Sequence, residues 1–216
     1  MSAIPRVDVT GEELVEWAAE LAQAGQRRIL GITGSPGVGK STVAAELVAA
    51  LGDRAALVGM DGFHLSGRVL NDLGRADRKG APDTFDARGY LALLDRLRLA
   101  RETVYVPAFD RGLEESIAAA EGISPEVPLI ITEGNYLLLE SPDWVDVRGR
   151  LDEVWFLRVP EELRRTRLIA RHERYGRSPE EAAAWALGSD ERNARAVEES
   201  RHRADLIITP RVHSGV

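Results

Sequence analysis

The chain has 216 residues, a formal net charge of −7 and no cysteine. That length suits one α/β domain with a full core, and the missing cysteines exclude a disulfide framework, a thiolate nucleophile and a Cys-ligated metal. The acidic balance argues against nucleic acid as the main partner, and no apolar run approaches the ~20 residues that span a bilayer.

No basic segment followed by an apolar one is visible near Met1 to Arg6, so no signal peptide is expected and the location is read as cytoplasmic, with no membrane partner. A homodimeric state stays open. Thr10 and Glu13 have capping-box spacing, and Leu14, Trp17, Ala18 and Leu21 follow at helical spacing, which predicts a first helix over about 11–24. Ile29 to Thr33 reads as a buried strand, Ser41 to Leu51 as a helix closed by Gly52, and Ala56 to Met60 as a second buried strand. Residues 61–86, rich in Gly, Asp, Arg and Pro, read as a long loop, a class of loop that is usually functional. Asp86 caps a helix over about 87–100, and Thr103 to Val106 reads as a third strand stopped by Pro107. Ile117 to Ile123 reads as an edge strand or hairpin arm, and Leu129 to Thr132, Val154 to Val159 and Leu206 to Thr209 as further strands. Two helices, near 161–174 and 179–200, complete the count. Short apolar strands alternating with helices predict an α/β fold, a mainly parallel sheet with helices on both faces. In such sheets ligands bind beyond the carboxyl ends of the strands.

Gly34, Ser35, Pro36, Gly37, Val38, Gly39, Lys40 and Ser41 fit G-x-x-x-x-G-K-[ST], between a predicted strand and a predicted helix. The glycines let backbone N–H groups close around a phosphate chain, and the helix offers its positive end to the same anion. In this pattern Lys40 reaches the β- and γ-phosphates and Ser41 ligates magnesium. ATP and Mg2+ are therefore expected, with the loop and the adjoining Thr42 as the nucleotide site.

Asp61 directly follows the second strand and Glu133 directly follows the 129–132 strand. Parallel strands would bring both carboxylates to the crevice that holds the phosphate loop. A neutral alcohol needs a base to become a nucleophile, and Asp61 is the candidate; Glu133 is the candidate for the magnesium shell. The two roles can also be exchanged. His64 is a candidate acceptor contact, as is Arg75, in the charged stretch that runs to Asp86. Arg164, Arg167, Arg171 and Arg174 are spaced to share one helical face. A positive face near the crevice neutralises transition-state charge, and Arg167 and Arg171 are the candidates for that work. Gly176 and Ser178-Pro179 turn this segment back on itself, the layout of an Arg-rich lid over about 160–178.

Together with Asp61-Gly62-Phe63-His64, Phe85-Asp86, Pro107 to Arg111, Glu133 to Tyr136 and Ala204 to Ile208, these residues resemble the uridine kinase, phosphoribulokinase and pantothenate kinase superfamily. The likeness spans about 28–209 and is greatest to bacterial members described as nucleoside/nucleotide kinases or fructose-transport-system kinases. It implies a P-loop NTPase fold, Asp61 as the catalytic aspartate, the Arg164–Arg177 segment as a lid over ATP, and Phe85 and Tyr136 near the substrate. Uridine kinases usually carry Ser and Tyr around the Phe where Gly62 and His64 stand here. Pantothenate kinases share Asp-Gly-Phe but are longer chains. The expected activity is transfer of the ATP γ-phosphoryl to a hydroxyl of a sugar, a nucleoside or a pantothenate-like alcohol. The alternatives are a nucleoside monophosphate kinase, which would need arginines more than a base, and a non-catalytic P-loop module. The chain lacks the Asn-Lys-x-Asp that reads guanine.

Overall fold

The computed structural model describes residues 4–23 and 25–211. Six strands form one parallel sheet, in the spatial order β1 (Arg6–Val9), β8 (Leu206–Pro210), β7 (Glu153–Leu157), β2 (Arg28–Thr33), β6 (Leu129–Glu133) and β3 (Ala55–Gly59). Neighbouring residues along each inner strand enter opposite cores. Ile29, Ile130, Phe156 and Ile207 meet Tyr90, Leu94 and Leu97 of α4 (Ala87–Arg98). Leu30, Ile131, Trp155 and Ile208 meet Leu14 and Ala18 of α1 (Gly11–Leu21) and Leu47 of α2 (Lys40–Leu51). A strand buried on both faces has no polar positions to spare, which is why these segments read as unbroken apolar runs.

The capping box of α1 is formed, with Glu13 N donating to Thr10 Oγ1 at 3.2 Å and Thr10 N to Glu13 Oε2 at 2.8 Å. The helix ends at Leu21, and residue 24 of the predicted span lies outside the described residues, as do Met1 to Ala3. Asp86 caps α4 as expected, accepting from Gly89 N at 2.8 Å.

Three expectations are corrected and one strand is added. Strand β4 (Val104–Asp110) is not part of the central sheet; it pairs antiparallel with β5 (Glu115–Ile123) in a separate hairpin. It also runs through Pro107, where a register shift between Val106 and Ala108 absorbs a residue that has no N–H to give the ladder. Strand β1 went unpredicted, being a four-residue edge strand with Val9 as its buried residue. The loop 61–86 contains a short helix, α3 (Gly67–Asp72), and several single helical turns. After α5 (Glu161–Arg174), the expected helix 179–200 is broken at Gly188 into α6 (Pro179–Leu187) and α7 (Ser189–Glu199). Among the described residues no helix is long and apolar enough to cross a membrane.

The register sets the site. Glu133, the last residue of β6, lies level with Ile32 of β2 on one side and Gly59 of β3 on the other. The phosphate loop, Glu133 and Asp61 therefore leave the same edge of three adjacent strands. Gly62 lets the hairpin close on this edge: a Cβ there would lie 2.6 Å from the carbonyl oxygen of Pro107.

Candidate active site

The loop from Gly34 to Gly39 joins β2 to α2 and turns through Gly37 (φ 88°) and Gly39 (φ 97°), a left-handed backbone that side chains resist. The first turn of α2 has no side-chain cap, so its N–H groups stay free for an anion. Lys40 is buried, and its Nζ donates back to the carbonyls of Gly34 (2.9 Å) and Ser35 (3.3 Å). Burial pushes its pKa down to about 8, helped by the charges of Arg171 and Arg111 and opposed by Glu133 and Asp61. Ser41 Oγ donates to Glu133 Oε1 at 3.0 Å. Burial, then the charge of Asp61, raises the Glu133 carboxyl above its ordinary pKa, against Lys40 and Ser41. Ser35 Oγ ties the loop to the Ala194 carbonyl (3.4 Å), Val38 is buried in the core, and Thr42 is exposed on α2.

Asp61 sits in the helical turn that follows β3, with Oδ2 3.0 Å from Arg111 Nη2 on the hairpin. His64 Nδ1 lies 2.8 Å from the Asp61 carbonyl oxygen. A carbonyl only accepts, so Nδ1 carries the proton and Nε2 keeps a lone pair. The imidazole is held between Phe85 (centroids 4.0 Å apart) and Phe109 (4.6 Å). Burial lowers its pKa, with the Lys79 and Arg111 charges acting in the same direction and Asp61 against them.

Lys40, Ser41, Asp61, His64, Phe85, Glu133 and Arg171 line one cavity of about 390 Å³. Arg75 and Tyr136, expected at the acceptor, are not in its lining. Arg75 Nη1 donates to the Asp83 carbonyl at 2.7 Å and its Nε pairs with the Asp83 carboxylate at 3.4 Å. Tyr136 is buried beside Phe85 and Trp144, and its hydroxyl donates to the Gly80 carbonyl.

The arginine helix does not present one uniform face. Arg164 is buried; it pairs with Glu161 and with Glu191 of α7, and its Nη1 donates to the Pro36 carbonyl at 3.2 Å. Arg167 Nη1 would be 3.7 Å from a Cβ built on Gly39, beside the phosphate loop, while Arg174 is exposed. Arg165 points elsewhere, to Glu191 (3.0 Å) and Glu161 (3.2 Å). Residues that the spacing did not point to also reach the cavity: Arg111, Arg177, Trp185, and the pair His172 and Asp190, whose Nε2 and Oδ2 are 2.7 Å apart. They come from the hairpin and from α5 to α7; Arg111, His172 and Arg177 lie in stretches that carry the family resemblance, whereas nothing in the sequence points to Trp185 or Asp190.

This geometry is that of a P-loop phosphotransferase, and comparison with known proteins agrees. A family model for the methylmalonyl-CoA mutase-associated GTPase MeaB matches residues 2–81, the part that contains the phosphate loop. A Schizosaccharomyces pombe protein provisionally named a uridine kinase is 32% identical over 212 residues, covering 91% of this chain and 89% of that protein. The pantothenate kinase of Mycolicibacterium vanbaalenii is 31% identical over 145 residues, 60% of this chain and 46% of that one. The crystal structure of a provisionally named fructose transport system kinase from Silicibacter sp. TM1040 superposes with a TM-score of 0.83 at 39% identity, covering 92% of this chain and 98% of that one. The chain belongs to the superfamily of uridine kinase-like and pantothenate kinase-like P-loop kinases. It is a small-molecule kinase.

Proposed function

We propose that the chain is an ATP- and magnesium-dependent kinase of the cytoplasm that moves the γ-phosphoryl of ATP to a hydroxyl of a small metabolite: a sugar, a nucleoside or a pantothenate-like alcohol. The observation that carries this reading is the meeting of the phosphate loop, Glu133 and Asp61 at the ends of β2, β6 and β3. The donor set suits magnesium. Ser41 Oγ and Glu133 Oε1 are hard oxygen donors 3.0 Å apart, and Glu133, whose carboxyl pKa is raised by burial first and by the charge of Asp61 second, is a buried carboxylate that a cation would stabilise. Among the described residues no three His, Asp or Glu gather around one point, which fits an ion that takes its other ligands from phosphate and water. Magnesium held there neutralises charge on the β- and γ-phosphates.

In this reading the chain's own groups do the rest. Lys40, Arg167 and Arg171 stabilise charge on the transferred phosphoryl. Asp61, oriented by Arg111, takes the proton as the acceptor oxygen bonds to the γ-phosphorus and the bond to the ADP oxygen breaks. His64, Phe85 and Phe109 form the wall on which the acceptor rests. ADP release measured across sugars, nucleosides, pantothenate and glycerate tests the reading. ATP turnover that no added alcohol stimulates would refute it.

A further inference from the structure

The cavity contains a cation that phosphoryl transfer leaves without work. Arg177 lies beyond the end of α5, in the turn that leads into α6. Its guanidinium lies 3.9 Å from the ring centroid of Trp185, and both residues line the cavity. The Nη1 of Arg177 is buried without a hydrogen-bond partner among the described residues. Native structures rarely leave a buried charged donor unpaired, because its desolvation is then uncompensated. The indole covers one face of the guanidinium, so an oxyanion is bound along its in-plane N–H edge.

The surroundings assign this edge to the acceptor rather than to ATP. Arg171 is the lid cation whose charge acts on Lys40, so it belongs with the phosphate loop. Arg177 stands farther along, and its connections run the other way. Its backbone N–H donates to the His172 carbonyl (3.2 Å), the His172 ring meets Asp190 (2.7 Å), and one turn on along α7 Asn193 Nδ2 reaches the Gly80 carbonyl (3.4 Å). Gly80 follows Lys79, a second cavity cation, whose Nζ is 5.3 Å from the Phe109 centroid and 3.8 Å from the Glu114 carboxylate.

We propose that the acceptor is an anionic hydroxy compound: its reacting hydroxyl lies at Asp61 and its carboxylate or phosphate is held by Arg177 on Trp185, with Lys79 adding positive charge. The inference rests on the kinase reading above and narrows its acceptor.

The test assays the full chain with MgATP for ADP release on pairs that differ only in a charged group: glycerate against glycerol, and a hexose phosphate against the free hexose. The charged member of one pair is expected to be the better acceptor, and which pair responds tells carboxylate from phosphate. Arg177→Met is expected to raise KM for that compound about 10- to 100-fold, the range for a hydrogen bond to a charged group. KM for ATP should hold, and Arg177→Lys should recover part of the loss. Preference for the neutral members overturns the proposal and leaves the kinase reading standing, as does an Arg177→Met that weakens ATP instead of the acceptor. If none of these four is turned over, the kinase reading is decided by the wider acceptor screen above, and the anion site is decided by binding. Glycerate or the hexose phosphate should then quench the Trp185 fluorescence, identified with Trp185→Phe, and Arg177→Met should abolish that quenching; no quenching by either anion overturns the proposal.

Discussion

Lys40 should make the apoprotein less stable than it needs to be. Burial lowers its pKa from 10.5 to about 8, a difference that corresponds to on the order of 3 kcal/mol against the folded state wherever both states are charged. Replacing it by Met removes that cost but also the hydrogen bonds to the Gly34 and Ser35 carbonyls, which takes back about 1–2 kcal/mol. Lys40→Met is therefore expected to be more stable than the wild type at pH 7 by about 1–2 kcal/mol, at roughly 2–4 °C in Tm per kcal/mol for a chain of this size. The sign follows from proton uptake. Between pH 8 and 10.5 the unfolded lysine keeps a proton that the folded one has lost, so wild-type stability rises with pH across that window. Above it the burial cost is gone, only the lost hydrogen bonds remain, and the order of the two proteins should invert. Thermal melts of both proteins from pH 7 to 10.5 measure this. The same variant should lose about 10²–10³ in kcat, as expected for removal of a preorganised electrostatic donor. A Lys40→Met that melts below the wild type at pH 7, or a gap that stays constant to pH 10.5, refutes the reasoning about burial. Near-normal turnover refutes the assignment of the phosphate site.

Asp61→Asn should keep MgATP affinity and lose about 10²–10⁴ in acceptor phosphorylation; loss of MgATP affinity would instead assign Asp61 to the metal and leave Glu133 as the base. Glu133 binds its proton more tightly folded than unfolded, so wild-type stability falls as pH rises above 4.5, and Glu133→Gln should melt higher than the wild type by a margin that grows with pH over that range, while MgATP-dependent turnover collapses. A margin that shrinks as pH rises would contradict the raised carboxyl. Arg164→Ala removes the closest partner of the partly buried Glu191, which keeps Arg165 at 3.0 Å, and should cost about 1.5–3 kcal/mol in a urea melt. Arg167→Ala should instead lower kcat with the melt unchanged, and an equal kcat loss in Arg165→Ala would show that the side of α5 facing Gly39 has no special part.

What could be read from the residues was whatever chemistry is contiguous with a buried strand. The phosphate loop, Asp61 and Glu133 each begin where an apolar run stops, so predicting the runs also placed the groups. The same logic fails for β4, because an apolar run states that a strand is buried and not which sheet it joins. It fails for β1 too, since an edge strand with one buried residue has no run to see. Helical spacing was equally partial on α5. It identifies a face, but that face changes surroundings along its length: Arg164, in the first turn, meets Glu191 from a helix 27 residues on, and Arg171, two turns later, meets the cavity.

In the proposed reading the donor half of the site is thus local in sequence, and the acceptor half is not. Arg111 reaches Asp61 across 50 residues, His64 is clasped by rings from two other segments, and Arg177 and Trp185 enter from the turn after α5 and from α6. A kinase can be recognised from one loop because phosphate always asks for the same backbone cradle and the same lysine. An acceptor asks for whatever fits its own shape and charge, which tertiary packing supplies piece by piece. That is why the identity of the acceptor turns on groups such as Arg177, whose unpaired nitrogen only the folded cavity reveals.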